Sequence, residues 1–223
     1  MHKISWLLLV GMCACSGAPK ARVPFRTEFD EPLGAEWRIK GGHWYVTDGH
    51  LYNDGAHNVP LWLDAALPTD VRISFDAESK SDAVDLKFEV FGDGVHHQSG
   101  YVVILGGWNN SKSIIARLDE HGPERTPAQE ASLRAEVERD AKAALELYRD
   151  RREVAAKPDT QQRDHKYHFR FERRGHDLSF FADGTLVMSY FDPSPLSGPG
   201  HDRFAFNNWA SQVFFDNLMI EPL

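Results

Sequence analysis

The chain has 223 residues and carries 33 Asp and Glu against 25 Lys and Arg, a formal charge of −8. That balance removes the electrostatic route to nucleic acid, whose phosphates call for a basic face, and to an anionic membrane surface. Six Trp and fourteen Phe supply enough apolar bulk for a single two-layered domain.

Residues 1–14, MHKISWLLLVGMCA, open with Lys3 and an apolar run from Trp6 to Met12. The run is shorter than the ~20 residues that span a bilayer, so it reads as a cleaved leader. Ala14 before Cys15 resembles the end of a bacterial lipoprotein signal, with Cys15 lipidated and Cys13 as the alternative. The expectation is an exported protein held to a bacterial outer membrane or cell surface by its lipid alone. Both cysteines lie here, so the body has no disulfide and must be held by core burial. Residues 15–24 form a tether, and 25–223 form the domain.

Short strands follow in quick succession. Residues 36–39 and 43–47 carry Trp37, Ile39, Trp44 and Val46, and an Asp48-Gly49 turn leads into 50–53. Val59, Leu61 and Leu63 alternate in 59–63. VRISFDAE (71–78) puts Val71, Ile73 and Phe75 on one face, and DLKFEVFG (85–92) does the same with Leu86, Phe88 and Val90. GYVVILGG (100–107) is apolar on both faces, as a strand covered on both sides would be. SIIARLDE (113–120) comes next.

Residues 126–156 break the pattern and predict one inserted helix. Thr126, Pro127 and Gln129 make a capping box. Leu133, Val137, Ala141, Ala144, Leu145 and Tyr148 form a narrow apolar stripe. The stripe packs on the edge of the domain or offers a docking surface for a partner.

Alternation then returns. Tyr167, Phe169 and Phe171 alternate in 165–174. DLSFFADGTLVMSY (177–190) is a hairpin turning at Asp183-Gly184, and 203–210 and QVFFDNLMIEPL (212–223) close the chain. Such a density of short alternating strands predicts an all-β antiparallel sandwich or jelly roll.

FRTEFDEPLGAEWRIKGGHWYVTDGHLYN (25–53) resembles the opening of concanavalin A-like lectin/glucanase domains, with a Phe-Asp pair, a Trp and a second Trp-containing strand. The segment 168–223, with its hairpin, proline-rich loop and terminal Phe-Asp-Asn strand, is similar to their end. Residues 100–122 fit their paired strands more loosely. The resemblance implies a jelly roll of two antiparallel sheets, one concave, with polysaccharide bound or cleaved on that face or its rim. It also implies the option of a structural calcium near the termini, for which Asp30 and Asp216 are the candidates.

The glucanases of this fold carry Glu-x-Asp-x-x-Glu on one strand, and this chain does not. The period-two spacing would aim two acids into one groove. Acids such as Asp76, Glu78 and Glu89 are weak stand-ins, so no catalytic residue is assigned. A glycoside hydrolase or polysaccharide lyase with an unrecognised acid pair stays open as the alternative, and a structural protein docking through the helix is another. His96-His97 reads as a polar loop, since adjacent strand residues point oppositely. GGWNN (106–110) and FNNWA (206–210) each set a Trp beside two Asn. An indole stacks on the apolar face of a sugar ring, and carboxamides both donate to and accept from hydroxyls. Trp108, Asn109, Asn110, Asn207, Asn208 and Trp209 are therefore the candidate glycan contacts. Tyr101 and Arg117 stand in support.

Overall fold

The computed structural model describes residues 19–223. The expected leader and both cysteines therefore lie outside the described residues. No helix among the described residues is long and apolar enough to cross a membrane.

Fifteen strands follow one another: β1 (Phe25–Thr27), β2 (Trp37–Arg38), β3 (Tyr45–Thr47), β4 (His50–Asn53), β5 (Leu61–Leu63), β6 (Val71–Ser79), β7 (Leu86–Gly92), β8 (Tyr101–Gly106), β9 (Lys112–Arg117), β10 (Glu153–Pro158), β11 (Tyr167–Arg174), β12 (Asp177–Ala182), β13 (Thr185–Phe191), β14 (Arg203–Asn207) and β15 (Val213–Pro222). They form two antiparallel sheets. One runs β13-β12-β11-β6-β15-β4-β3, with β1 also on β15. The other runs β10-β9-β8-β7-β14-β5-β2. Sequential runs, β11 to β13 and β7 to β10, are joined to strands from distant parts of the chain, as where β6 pairs with β11 and β15 and β14 with β7 and β5, which a jelly roll requires. The expected sandwich is therefore present, and both hairpin turns fall where Asp-Gly predicts them, with Asp48 and Asp183 in the left-handed region.

Alternation aims one face of each sheet at the other. Val71, Ile73, Phe75 and Ala77 of β6 are all buried. Phe75 meets Phe88 and Phe206 of the opposite sheet at ring distances of 5.2 Å, and Phe206 stacks on Phe215 at 4.4 Å. Edge-to-face and offset contacts of this kind add specificity to the burial term.

The outer face of the seven-stranded sheet is also sealed. Trp62, Glu89, Val102, Ile104, Ile114 and Ala116 point away from the inter-sheet core, yet each is 1% exposed or less. The two-sided apolar reading of 100–107 thus describes a strand covered on both faces. Gly92 makes the room: a Cβ there would lie 2.1 Å from Cη2 of Trp62.

The single inserted helix is corrected to two. Helix α2 (Pro127–Arg139) ends at Asp140, whose extended φ of −155° stops the helix. The Asp140 side chain then accepts from the Ala143 amide and starts helix α3 (Ala141–Tyr148). Residues 153–158 are a strand, because Val154, Ala155 and Ala156 zip onto Ala116, Ile115 and Ile114 of β9. Tertiary pairing overrides the helical propensity of that Ala-rich stretch. The capping box at Thr126 and Gln129 is present. Leu133 and Tyr148 pack on Phe191 at the sandwich edge, while Leu145 and Leu147 stay exposed.

Candidate functional site

Two segments far apart in sequence come together at one end of the seven-stranded sheet. The first, α1 (Gly107–Asn110), is a single turn in which Trp108, Asn109 and Asn110 have φ of 50°, 56° and 58°. A left-handed residue costs an L-amino acid about 1–2 kcal/mol, and a bulky one is a true outlier. Asn110 holds the turn by exchanging two 2.7 Å hydrogen bonds with the Gln161 backbone. The Trp108 ring lies edge-on to His121, with Lys112 Nζ 4.3 Å from its centroid.

The second segment follows β14. Asn207 donates to Glu89 Oε1 at 2.7 Å. Asn208 accepts from the Ala56 amide and donates to the Ser211 carbonyl. The Trp209 amide donates to Asp85 Oδ2 at 2.7 Å, and its ring meets His57 edge to face. These bonds leave the Trp209 ring 54% exposed.

Trp108 and Trp209 line the same cavity, of about 460 Å3, together with Asn58, Asp85, Lys87, Asn109, Glu120 and His121. That volume lies in the range of small-ligand sites. Its floor is a buried charge network on β7 and the loops above it. Lys87 Nζ donates to Asn58 Oδ1 at 2.9 Å and pairs with Glu120 Oε2 at 3.1 Å. His97 Nδ1 is 2.6 Å from Glu89 Oε1, and its Nε2 is 3.6 Å from Glu120 Oε1. Glu89 also accepts from the Gln98 amide. Burial opposes the charge on His97, but the Glu120 and Glu89 carboxylates outweigh it and push the imidazole up to about 9. Burial likewise opposes the Glu120 carboxylate, but the His97 and Lys87 cations win and pull it down to about 2. Asp85 moves the other way: burial raises it, only partly offset by Lys87 and the Trp209 amide.

The structure therefore sorts the residues singled out from sequence. Trp108, Asn109 and Trp209 face one cavity. Asn110 shapes the turn. Asn207 and Asn208 are corrected from contacts to supports, since both are fully buried and bonded within the protein. Tyr101 and Arg117 are corrected too. Tyr101 Oη donates to Asp192 Oδ2 at 2.6 Å, and Arg117 Nε donates to the same oxygen at 2.8 Å. Both are sealed from solvent, so neither meets a ligand.

The stand-in acids separate. Asp76 and Glu78 lie on the outer face of the other sheet, bound to His168, Asn217 and Lys80. Glu89 is fully buried under three donors. Asp30 lies beside the Asp48-Gly49 turn and Asp216 is 3.9 Å from His50. Among the described residues, no group of three or more His, Cys, Asp or Glu is arranged to hold a metal ion.

Sequence reasoning missed Asn58, Asp85, Lys87, His97 and Glu120. The period-two run Asp85-x-Lys87-x-Glu89 was a signal for three of the positions on or beside β7. Asn58, His97 and Glu120 arrive on loops and left none. The adjacent histidines do diverge: His96 turns outward to Asp93, and His97 inward.

No protein-family model matches the chain. No curated protein matches it by sequence. Solved structures do match in fold. A lichenase from a mouse hindgut metagenome superposes with a TM-score of 0.55 at 11% identity, covering 89% of this chain and 99% of that one. The carbohydrate-binding module CBM66 from Bacillus subtilis gives 0.53 at 15% identity, covering 83% and 95%. The laminarinase from Rhodothermus marinus gives 0.52 at 12% identity, covering 89% and 96%. The chain thus has the concanavalin A-like lectin/glucanase fold, and the likeness carries the architecture alone.

Proposed function

We propose that this domain binds carbohydrate without cleaving it, at the cavity between Trp108 and Trp209. The observation that carries the reading is the meeting of two exposed indoles, from distant parts of the chain, over one polar floor. Indole faces stack on sugar rings, while Asn109, Asn58 and the floor charges offer hydrogen bonds to hydroxyls. The left-handed backbone at Trp108 supports it, because strain of this kind gathers at ligand sites. Screening the protein against a panel of polysaccharides by affinity electrophoresis tests it. Retardation by at least one glycan is the expected result, and free migration in every gel contradicts it.

A second reading has one specific observation in its favour. Asp85 and Glu120 line the same cavity with their carboxyls shifted in opposite directions, the pattern of an acid and its partner. It ranks below binding because Glu120 is committed to His97 and Lys87. Release of reducing ends from a polysaccharide, abolished by Asp85→Asn, would reverse the order.

We also propose that Cys15 is lipidated and tethers the domain to the bacterial envelope. Replacing Cys15 with Ala should then move the protein from the membrane fraction to the soluble one.

A further inference from the structure

An aromatic ring that stays largely in solvent gains little from burial, so its backbone must set its position. Trp209 is such a ring, more than half exposed, and both of its peptide groups are fixed. Its carbonyl accepts from the His57 amide at 2.8 Å, and its amide donates to Asp85 Oδ2 at 2.7 Å. Asp85 in turn reaches the other indole. Its own amide donates at 3.0 Å to the carbonyl of Gly106, the residue that leads into the Trp108 turn. One residue, just before β7, therefore connects the two segments that carry the rings.

The backbone is strained to put it there. Val84 and Asp85 are both buried and have φ of 55° and 49°. A β-branched residue in the left-handed region is an outlier. The Val84 amide closes the corner by donating to the Ser81 carbonyl at 3.0 Å. Gly106, itself at φ 68°, lets that corner approach the Trp108 turn. A Cβ at Gly106 would lie 3.0 Å from Cγ1 of Val84 and 2.8 Å from Oδ1 of Asn110. A plain turn is made more easily with Gly or Asn. Strain kept in a Val-Asp pair beside a cavity is the kind that gathers at ligand sites.

We infer that Asp85 is a positioning residue of this site, holding the Trp209 indole in place relative to the Trp108 indole so that one sugar chain meets both. This rests on the carbohydrate-binding reading above and deepens it. Asp85 acts through Trp209, so its effect on affinity cannot exceed that of the ring it holds.

The test incorporates fluorotryptophan and assigns the Trp108 and Trp209 fluorine signals by removing each ring in turn. In the ligand-free protein, Asp85→Ala should move the Trp209 signal. It should leave that of Trp108 in place, because the Asp85–Gly106 bond is main chain and Asn110 still holds the turn. Asp85→Asn keeps an acceptor for the amide and should restore the Trp209 signal. With the glycan that the panel identifies, Asp85→Ala should weaken binding about two- to fivefold, and Asp85→Asn should recover most of that loss. In the Trp209→Ala background, Asp85→Ala should cost nothing further. If Asp85→Ala does not fold, Asp85→Leu, close in volume and without an acceptor, takes its place. An unmoved Trp209 signal in the folded variant overturns the proposal. So does a loss of equal size in the Trp209→Ala background, which would put Asp85 against the sugar itself. If no glycan binds, the carbohydrate reading falls, and the ligand-free spectra alone decide whether Asp85 holds the ring.

Discussion

The His97 imidazole lies 2.6 Å from the Glu89 carboxylate and reaches Glu120 with its other nitrogen. Nδ1 is within hydrogen-bond distance of Glu89, and the nearby Glu120 carboxylate adds to the pull toward the charged imidazolium. It ties the 93–99 loop to β7 and to the loop that carries Glu120. Its pKa rises from the ordinary 6.5 to about 9. A group raised on folding contributes its full stability below the unfolded value and loses it as pH climbs through the folded one. The difference in unfolding free energy between the wild type and His97→Gln should therefore be largest near pH 6, on the order of 3 kcal/mol at most. It should shrink through pH 6.5 to 9. Denaturant titrations across that window check it, and a difference independent of pH would contradict the charged bridge.

Glu120 works in the opposite window. Its pKa falls from 4.5 to about 2, so its contribution is present above pH 4.5 and is lost as pH drops toward 2. Acid unfolding of Glu120→Gln should be flatter between those values than that of the wild type. Superimposable acid limbs, once shifted for overall stability, would rule out this role.

Gly92 is a packing requirement rather than a turn residue. Gly92→Ala drives a methyl into the Trp62 ring and should cost about 1–3 kcal/mol. Adding Trp62→Phe, a smaller ring, should recover part of the loss. A melting temperature equal to that of the wild type in Gly92→Ala would show that Trp62 does not lie over this position.

Arg117 anchors the end of the helical insertion. Its guanidinium donates to Asp192 and to the carbonyls of Arg149, Arg151 and Ser194, and it is 1% exposed. Arg117→Met strands the buried Asp192 carboxylate and should cost about 3–5 kcal/mol. Carbohydrate affinity measured well below the melting transition should stay as it was. A selective loss of affinity in a stable Arg117→Met protein would return Arg117 to the binding site.

The sandwich was legible because period-two burial writes itself into the chain. Val71, Ile73 and Phe75, or Tyr167, Phe169 and Phe171, alternate with polar residues and face the core. The Asp-Gly turns then set the hairpins. Residues 153–158 were not legible, since Val154–Ala156 suits a helix locally and becomes a strand only because β9 offers an open edge. At the site, Trp108 and Trp209 were visible as Trp-Asn clusters, whereas the floor was not. Glu120, His97 and Asn58 lie on three separate loops, and no local pattern states that Lys87 will gather them. The same limit explains Asn207 and Asn208. Their composition suggests sugar contacts, but Asn207 is taken up by Glu89, and Asn208, just past the end of β14, by Ala56 and Ser211.

The most direct measurement is calorimetric titration of the best glycan from the panel into the wild type, Trp108→Ala, Trp209→Ala and the double variant. Both rings are on the surface, so the fold and melting temperature should hold. Each single change should cost about 1 kcal/mol, roughly fivefold in affinity, and the double variant about 2 kcal/mol, roughly thirtyfold. Wild-type affinity in a folded double variant would contradict the account at its centre.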